Sequence, residues 1–373
     1  MDNKERFTVQ DFLIQIQQID YASIITTLSP IIICYINSKV IDNYNLHRDY
    51  KPKNIRKVSL PPELTQEYSN IDIERFASQQ FGSAIIHFAK VMIDKFPSVD
   101  LINFYNNLNE LKINPKKFGF QNLVLRSNTA ATYEAKKNKI RVDKDDYTST
   151  IYHELFHMAS STYKNGIRYV GFRQSSLKPS VVNLGKGINE GYTQLLTERY
   201  FGDIEEAKGG YEYEVHIVDK LEKIIGQEKM ESLYLNANLP GLLTELKKYA
   251  SEDEITKFVS GVDFLSEHFE DKKLLPFEKG MITNSLKNVN EFLLRAYTKK
   301  LKNQLDAGLL NVDELNEQLA TYISSLGTSV KAGKHSYEFL TIESLQENLR
   351  AILEAPELTV DVKEQEGTVS KGR

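Results

Sequence analysis

The pentapeptide His153-Glu154-Leu155-Phe156-His157 constrains this chain more than any other stretch of it. Positions i and i+4 lie one turn apart on the same face of a helix, so the two imidazoles can act together only if the segment is helical. The flanking residues agree. Ile151, Leu155 and Met158 form an apolar stripe that predicts a helix over about 147–160. Upstream, residues 131–142 predict a β-hairpin, with Tyr133 on one arm, Lys137-Asn138 near the turn and Ile140 and Val142 on the other. Between hairpin and helix, Asp143 to Asp146 supply polar turn residues and helix-start carboxylates.

Two neutral imidazoles at this spacing can meet one tetrahedral zinc ion (Zn2+), each nitrogen roughly 2.0–2.1 Å away. Glu154 stands beside the ligand face without being on it, which suits a general base that takes a proton from a zinc-activated water. A third ligand must come from elsewhere. The extended HExxHxxGxxH pattern fails, because Ser160 and Tyr163 occupy its Gly and His positions. The best candidate is Glu190, in Gly187-Ile188-Asn189-Glu190-Gly191-Tyr192-Thr193. Asn189 is read there as the cap of a second helix, with Tyr192, Leu195, Leu196 and Tyr200 on its buried side. The structural alternative for Glu190 is an acid placed near a helix N-terminus, where the macrodipole favours negative charge.

HELFH followed after a gap by NEGYT resembles the gluzincins, the thermolysin-like zinc metallopeptidases, and more narrowly bacterial HExxH proteins with an EGYT-like second motif. The likeness covers about residues 130–226. It implies a zincin-like core in which His153, His157 and Glu190 hold one zinc ion and Glu154 is the general base. The 131–142 hairpin would then form the edge of a cleft for an extended peptide or protein substrate. Two departures stand out. Gln194 occupies the place of a carboxylate that supports a zinc histidine in thermolysin-like enzymes, leaving Thr193, Gln194 or Thr197 for that role. The interval between His157 and Glu190 is also longer. Gluzincins use a downstream Tyr or His to donate to the oxyanion; the candidates are Tyr211, Tyr213 and His216. Tyr211 is preferred, because it follows Gly209-Gly210 at a helix start.

The remaining chain reads as mostly helical, giving an α+β, mostly α fold. A helical N-terminal region (1–115) precedes the core (116–226); a helical region (227–355) and a polar tail (356–373), expected to be disordered, follow. Val9, Phe12, Leu13, Ile16 and Ile19 suggest a first helix, 37–62 a connector, and Asn122 to Leu125 a short strand. Phe81, Ile85, Phe88, Met92 and Phe96 make one stripe, stopped by Pro97, with Ser98 read as the cap of the next helix. About 25 residues after the HELFH helix read as a loop. Glu212 to Ile225 reads as a helix ended by Gly226, and further amphipathic helices run to about Glu354.

Composition narrows the partners. A formal net charge of −4 supplies no global basic surface for nucleic acid. The apolar stretch from Tyr21 to Ile36 is interrupted and falls short of a membrane span. One cysteine, Cys34, permits neither an internal disulfide nor a CxxC metal site. The N-terminus lacks a secretory pattern, so the cytoplasm is the default expectation, with leaderless export as the alternative. His47, His87, His268 and His335 stand without ligand-spaced partners and read as structural. Lys299, Lys300 and Lys302 read as a solvated helix face. Peptide-bond hydrolysis is the expected function. The rival is a catalytically inactive zinc-binding scaffold of the same fold.

Overall fold

The structure, a computed structural model, describes residue 76 and residues 81–115, 131–142, 149–164, 166–175, 183–202, 211–268, 276–327, 329–332 and 335–340. The expected first helix, the 21–36 stretch, the 37–62 connector, His47, the 122–125 strand, the 143–146 turn, Gly209-Gly210 and the 356–373 tail lie outside the described residues.

The Phe81–Phe96 stripe forms α1 (Gly82–Lys95), whose Ile85, Phe88 and Met92 are fully buried. Ser98 does not cap the next helix. It opens a 3-10 turn (Ser98–Asp100), and α2 (Ile102–Glu110) starts after Leu101 with no side-chain cap. Asp100 instead accepts hydrogen bonds from Ser232 Oγ and Asn236 Nδ2, at 2.8 and 2.6 Å, which ties this turn to a distant helix end. After α2 the chain extends into β1 (Lys112–Pro115), which pairs in parallel with β3 (Lys139–Val142). The expected hairpin is present. β2 (Ala131–Glu134) runs antiparallel to β3, so the sheet order is β1-β3-β2.

The HELFH segment lies on α3 (Ser149–Ala159), which packs on β2 and β3. Ile151, Leu155, Phe156 and Met158 are all fully buried. Behind the helix stands an aromatic cluster. Phe201 stacks on Tyr152 (ring centroids 4.3 Å) and Phe88 (5.6 Å), and Phe156 meets Phe88 edge-on at 5.0 Å. Each such pair contributes about 0.5–1.5 kcal/mol beyond its area burial. Two side chains satisfy carbonyls at the helix end: Ser160 Oγ donates to Phe156 O, and Asn107 Nδ2 donates to Met158 O, at 2.9 and 2.8 Å.

The segment read as one long loop carries structure. β4 (Ser161–Lys164), β5 (Ile167–Val170) and β6 (Arg173–Ser175) form a second antiparallel sheet, order β4-β5-β6. Strands of three or four residues with mostly polar sequences leave little alternation to detect. α4 (Lys186–Phe201) follows, and its start corrects a second expectation. Gly185, not Asn189, is the N-cap, and the helix's first amides are taken by a remote carboxylate: Asp263 accepts from Gly185 N at 2.7 Å and from Gly187 N at 2.8 Å. Asn189 is therefore released to act inside the first turns.

α4 is enclosed on several sides, packing against α5 (Glu212–Ile225) and α8 (Glu252–His268) as well as α3. Glycine makes these approaches possible. A Cβ on Gly187 would lie 2.7 Å from Val262 O of α8, and one on Gly191 would lie 2.5 Å from Glu214 O of α5. The remaining helices are α6 (Gln227–Leu235), α7 (Leu239–Leu246), α9 (Pro276–Asp306) and α10 (Val312–Leu326). One further difference appears at the end. A hairpin of β7 (Ser329–Ala332) and β8 (His335–Glu338) stands where only helices were expected. Buried side chains from Phe76 to Leu340 form one continuous apolar cluster, so the described residues are mostly helical around small sheets. Among them no helix is long and apolar enough to cross a membrane.

Candidate metal centre

α3 presents His153 and His157 from successive turns, and α4 brings Glu190 from its second turn. The three side chains converge. His153 Nε2 lies 3.1 Å from His157 Nε2, and Glu190 Oε2 lies 3.3 and 3.2 Å from those two nitrogens. All three residues are buried, with exposures of 7, 7 and 9 %. Each offers one ligand atom to a shared point, and together they could hold a metal ion. Among the described residues they form the only such group.

The electrostatics follow from this crowding. Burial alone would raise the Glu190 pKa, but the adjacent His157 and His153 outweigh it and hold the carboxyl well below its ordinary range. Burial would likewise lower the His153 pKa, and the Glu190 hydrogen bond with the Glu154 and Glu190 charges raises it instead. Glu154, also buried, sits next to this group but is not part of it. Its Oε2 accepts a 2.6 Å hydrogen bond from the Tyr133 amide of β2. Burial is the largest influence on Glu154 and raises its pKa against the pull of both imidazoles.

The outer nitrogens of the imidazoles meet different partners. His153 Nδ1 lies 3.1 Å from Gln194 Oε1. His157 Nδ1 lies 3.3 Å from Asn189 Nδ2 and 3.4 Å from Thr193 Oγ1. Thr193 in turn donates to Asn189 O and lies 2.6 Å from the Tyr234 hydroxyl. Of the three expected supporting residues, Gln194 and Thr193 reach a histidine. Thr197 does not; its hydroxyl donates to Thr193 O. Asn189 was missed in this role, since an Asn ahead of a helical pattern reads first as a cap. Its Oδ1 accepts from Phe172 N at 3.1 Å, which couples the loop between β5 and β6 to the histidine.

The three candidate donors separate cleanly. Tyr211 is at the site. Its ring stacks on His153 (centroids 5.5 Å, 14°), which brings the phenol close to Glu190. The nearby Glu190 charge, then burial, raise the phenol pKa far above its ordinary value, so Tyr211 remains a neutral donor. It is the N-cap of α5 with φ 60, a left-handed conformation that costs a non-glycine residue about 1 kcal/mol or more. Tyr213 and His216 point elsewhere. Tyr213 is bonded to Asn290 Nδ2 at 3.3 Å, and the His216 ring to Leu326 O at 3.2 Å. His87, read as structural, bonds the Tyr152 hydroxyl at 3.0 Å.

The Tyr133 amide belongs to β2, the edge strand of this sheet among the described residues, so the general-base candidate borders that strand. Comparisons of the chain with family models, with curated proteins and with solved structures find no match.

Proposed function

We propose that this protein is a zinc-dependent peptidase, with a zincin-like core built from the β1-β3-β2 sheet, α3 and α4. The observation that carries the reading is the spacing of three ligand atoms. Any two ligands of a tetrahedral zinc ion at roughly 2.05 Å lie about 3.3 Å apart. The nitrogens of His153 and His157 and the Glu190 oxygen lie 3.1, 3.2 and 3.3 Å apart. A two-nitrogen, one-oxygen set with a further position to spare suits a catalytic rather than a closed structural ion.

A zinc ion held by His153, His157 and Glu190 would acidify a water and polarise a carbonyl. The chain's own groups do the rest. Glu154 is held by the Tyr133 amide through Oε2, leaving Oε1 to accept a proton from the attacking water. Its raised pKa matches that task and the later return of the proton to the departing amine, as the C–O bond forms and the C–N bond breaks. Tyr211 supplies a neutral O–H for charge developing on the carbonyl oxygen. As the edge strand of its sheet among the described residues, β2 would pair with an extended peptide beside Glu154, which favours a peptide or protein substrate.

The test is Glu154→Gln in the full chain. Near-stoichiometric zinc should be retained while cleavage of a broad peptide library falls by about 10²–10⁴. Wild-type turnover by this variant would refute the assignment. A second reading, an inactive zinc-holding scaffold, draws on the deep burial of the ligands and on Gln194 in place of a carboxylate. Zinc binding by wild type without any cleavage selects it.

A further inference from the structure

An imidazole directs a lone pair inward through Nε2 only when Nδ1 carries the proton. For His153, something must enforce that tautomer, and Gln194 alone does not, because either end of its amide could face the ring. The next residue along the stripe resolves the ambiguity. Gln194 Nε2 donates to Glu198 Oε1 at 2.9 Å, while Gln194 Oε1 stands 3.1 Å from His153 Nδ1. A carboxylate only accepts, so it selects the amide nitrogen. The amide oxygen then faces the ring, and since it too only accepts, Nδ1 must donate.

We infer that Glu198 is a positioning residue for the site: it locks the Gln194 amide so that His153 carries its proton on Nδ1 and keeps the Nε2 lone pair for the centre. Glu190, Gln194 and Glu198 stand at successive i+4 positions of α4, so one helix supplies a ligand, a relay and the lock. His157 is held differently: the Phe172 amide engages Asn189 Oδ1 and turns the Asn189 amide nitrogen toward the ring, which leaves Thr193 Oγ1, already donating to Asn189 O, as the acceptor. Its Nδ1 faces an amide nitrogen and a hydroxyl at longer distances, 3.3 and 3.4 Å. The relay also gives the neutral Gln194 a negative charge behind it, strengthening its oxygen as an acceptor. The inference rests on the zinc reading above, because without an ion His153 Nε2 stands 3.3 Å from Glu190 Oε2 and can donate there.

The experiment compares wild type, Glu198→Gln and the exchange Gln194→Glu/Glu198→Gln, all in the full chain. In Glu198→Gln the partner can present either end of its amide, so the lock is lost. In the exchange, a carboxylate faces His153 directly and needs no orienting from the position one turn on, so acceptance at Nδ1 is restored. The first readout is NMR of the histidine ring Nδ1–H groups in zinc-loaded, histidine-labelled protein. Wild type and the exchange should show a downfield, slowly exchanging His153 Nδ1–H proton, and Glu198→Gln one shifted upfield and exchanging faster. The second readout is zinc affinity against a competing chelator, expected to fall about 10-fold in Glu198→Gln and to recover in the exchange. An unchanged Nδ1–H signal in Glu198→Gln overturns the inference, as does a loss that the exchange leaves uncorrected. A wild type that binds no zinc refutes the zinc reading and the inference with it, whereas zinc binding that Glu198→Gln leaves intact overturns the inference alone.

Discussion

Asp263 offers a perturbation whose size follows from its surroundings. Its carboxyl is buried, accepts from Gly185 N and Gly187 N at 2.7 and 2.8 Å, and caps the helix that carries Glu190. Burial is the largest influence and raises its pKa to about 7; the two amides and Arg173 pull the other way, and Glu267 adds to the rise. Lys186 pairs with Glu267 at 3.1 Å, so the other charges near this end of α4 are largely matched. A carboxyl whose folded pKa exceeds its unfolded value of 3.8 binds its proton more tightly when folded. Its contribution is therefore fully present below about pH 4 and is lost as pH rises through about 7. At 1.36 kcal/mol per pH unit, the loss over that interval is of order 4 kcal/mol. Asp263→Asn removes the titration but presents one oxygen to two amides, and an amide left unsatisfied costs about 1–3 kcal/mol. The difference in unfolding free energy between wild type and variant, measured by urea denaturation from pH 5 to 8, isolates this group from every other titration. Wild type should lose stability relative to Asp263→Asn across that range. Parallel profiles would show that the carboxyl is not destabilised by burial and would refute the argument.

Zinc at a hundred times its dissociation constant should stabilise wild type by about 2.7 kcal/mol; a hundredfold weaker site in Glu190→Gln would leave about 0.4 kcal/mol at the same free zinc, read as a lost thermal shift. An equal shift in both proteins would remove Glu190 from the ligand set. Tyr211→Phe should keep zinc and fold while kcat falls about 10²–10³, and an unaltered kcat would exclude the phenol as a donor to the oxyanion. Gly191→Ala forces a methyl against Glu214 O, at 2.5 Å, and should destabilise by about 3 kcal/mol in urea denaturation; a wild-type midpoint would mean that α4 and α5 can separate cheaply.

Local chemistry made much of this protein legible from its residues alone. The 3.6-residue period of Ile151, Leu155 and Met158 and the i, i+4 histidines define α3, and the alternation around Tyr133 and Ile140 defines the hairpin. Gly226, at φ 98, ends α5 where its lack of a side chain allows. These signals act over a few residues and need no partner. Other features depend on groups far apart in the chain. Asn189 reads as a cap, but the helix already starts at Lys186, where Asp263, more than seventy residues later, takes the Gly185 and Gly187 amides. The strands β4 to β6 are too short and polar to carry a period, and they exist because they pair with one another and dock through Phe172 onto Asn189. Gly187 and Gly191 let α4 lie against the backbones of α8 and α5, long-range approaches that no local pattern around Glu190 encodes. A helix can be specified by its own spacing, but which helices touch is set by packing, where a single Cβ placed within 3 Å of a carbonyl oxygen separates a converged site from a dispersed one.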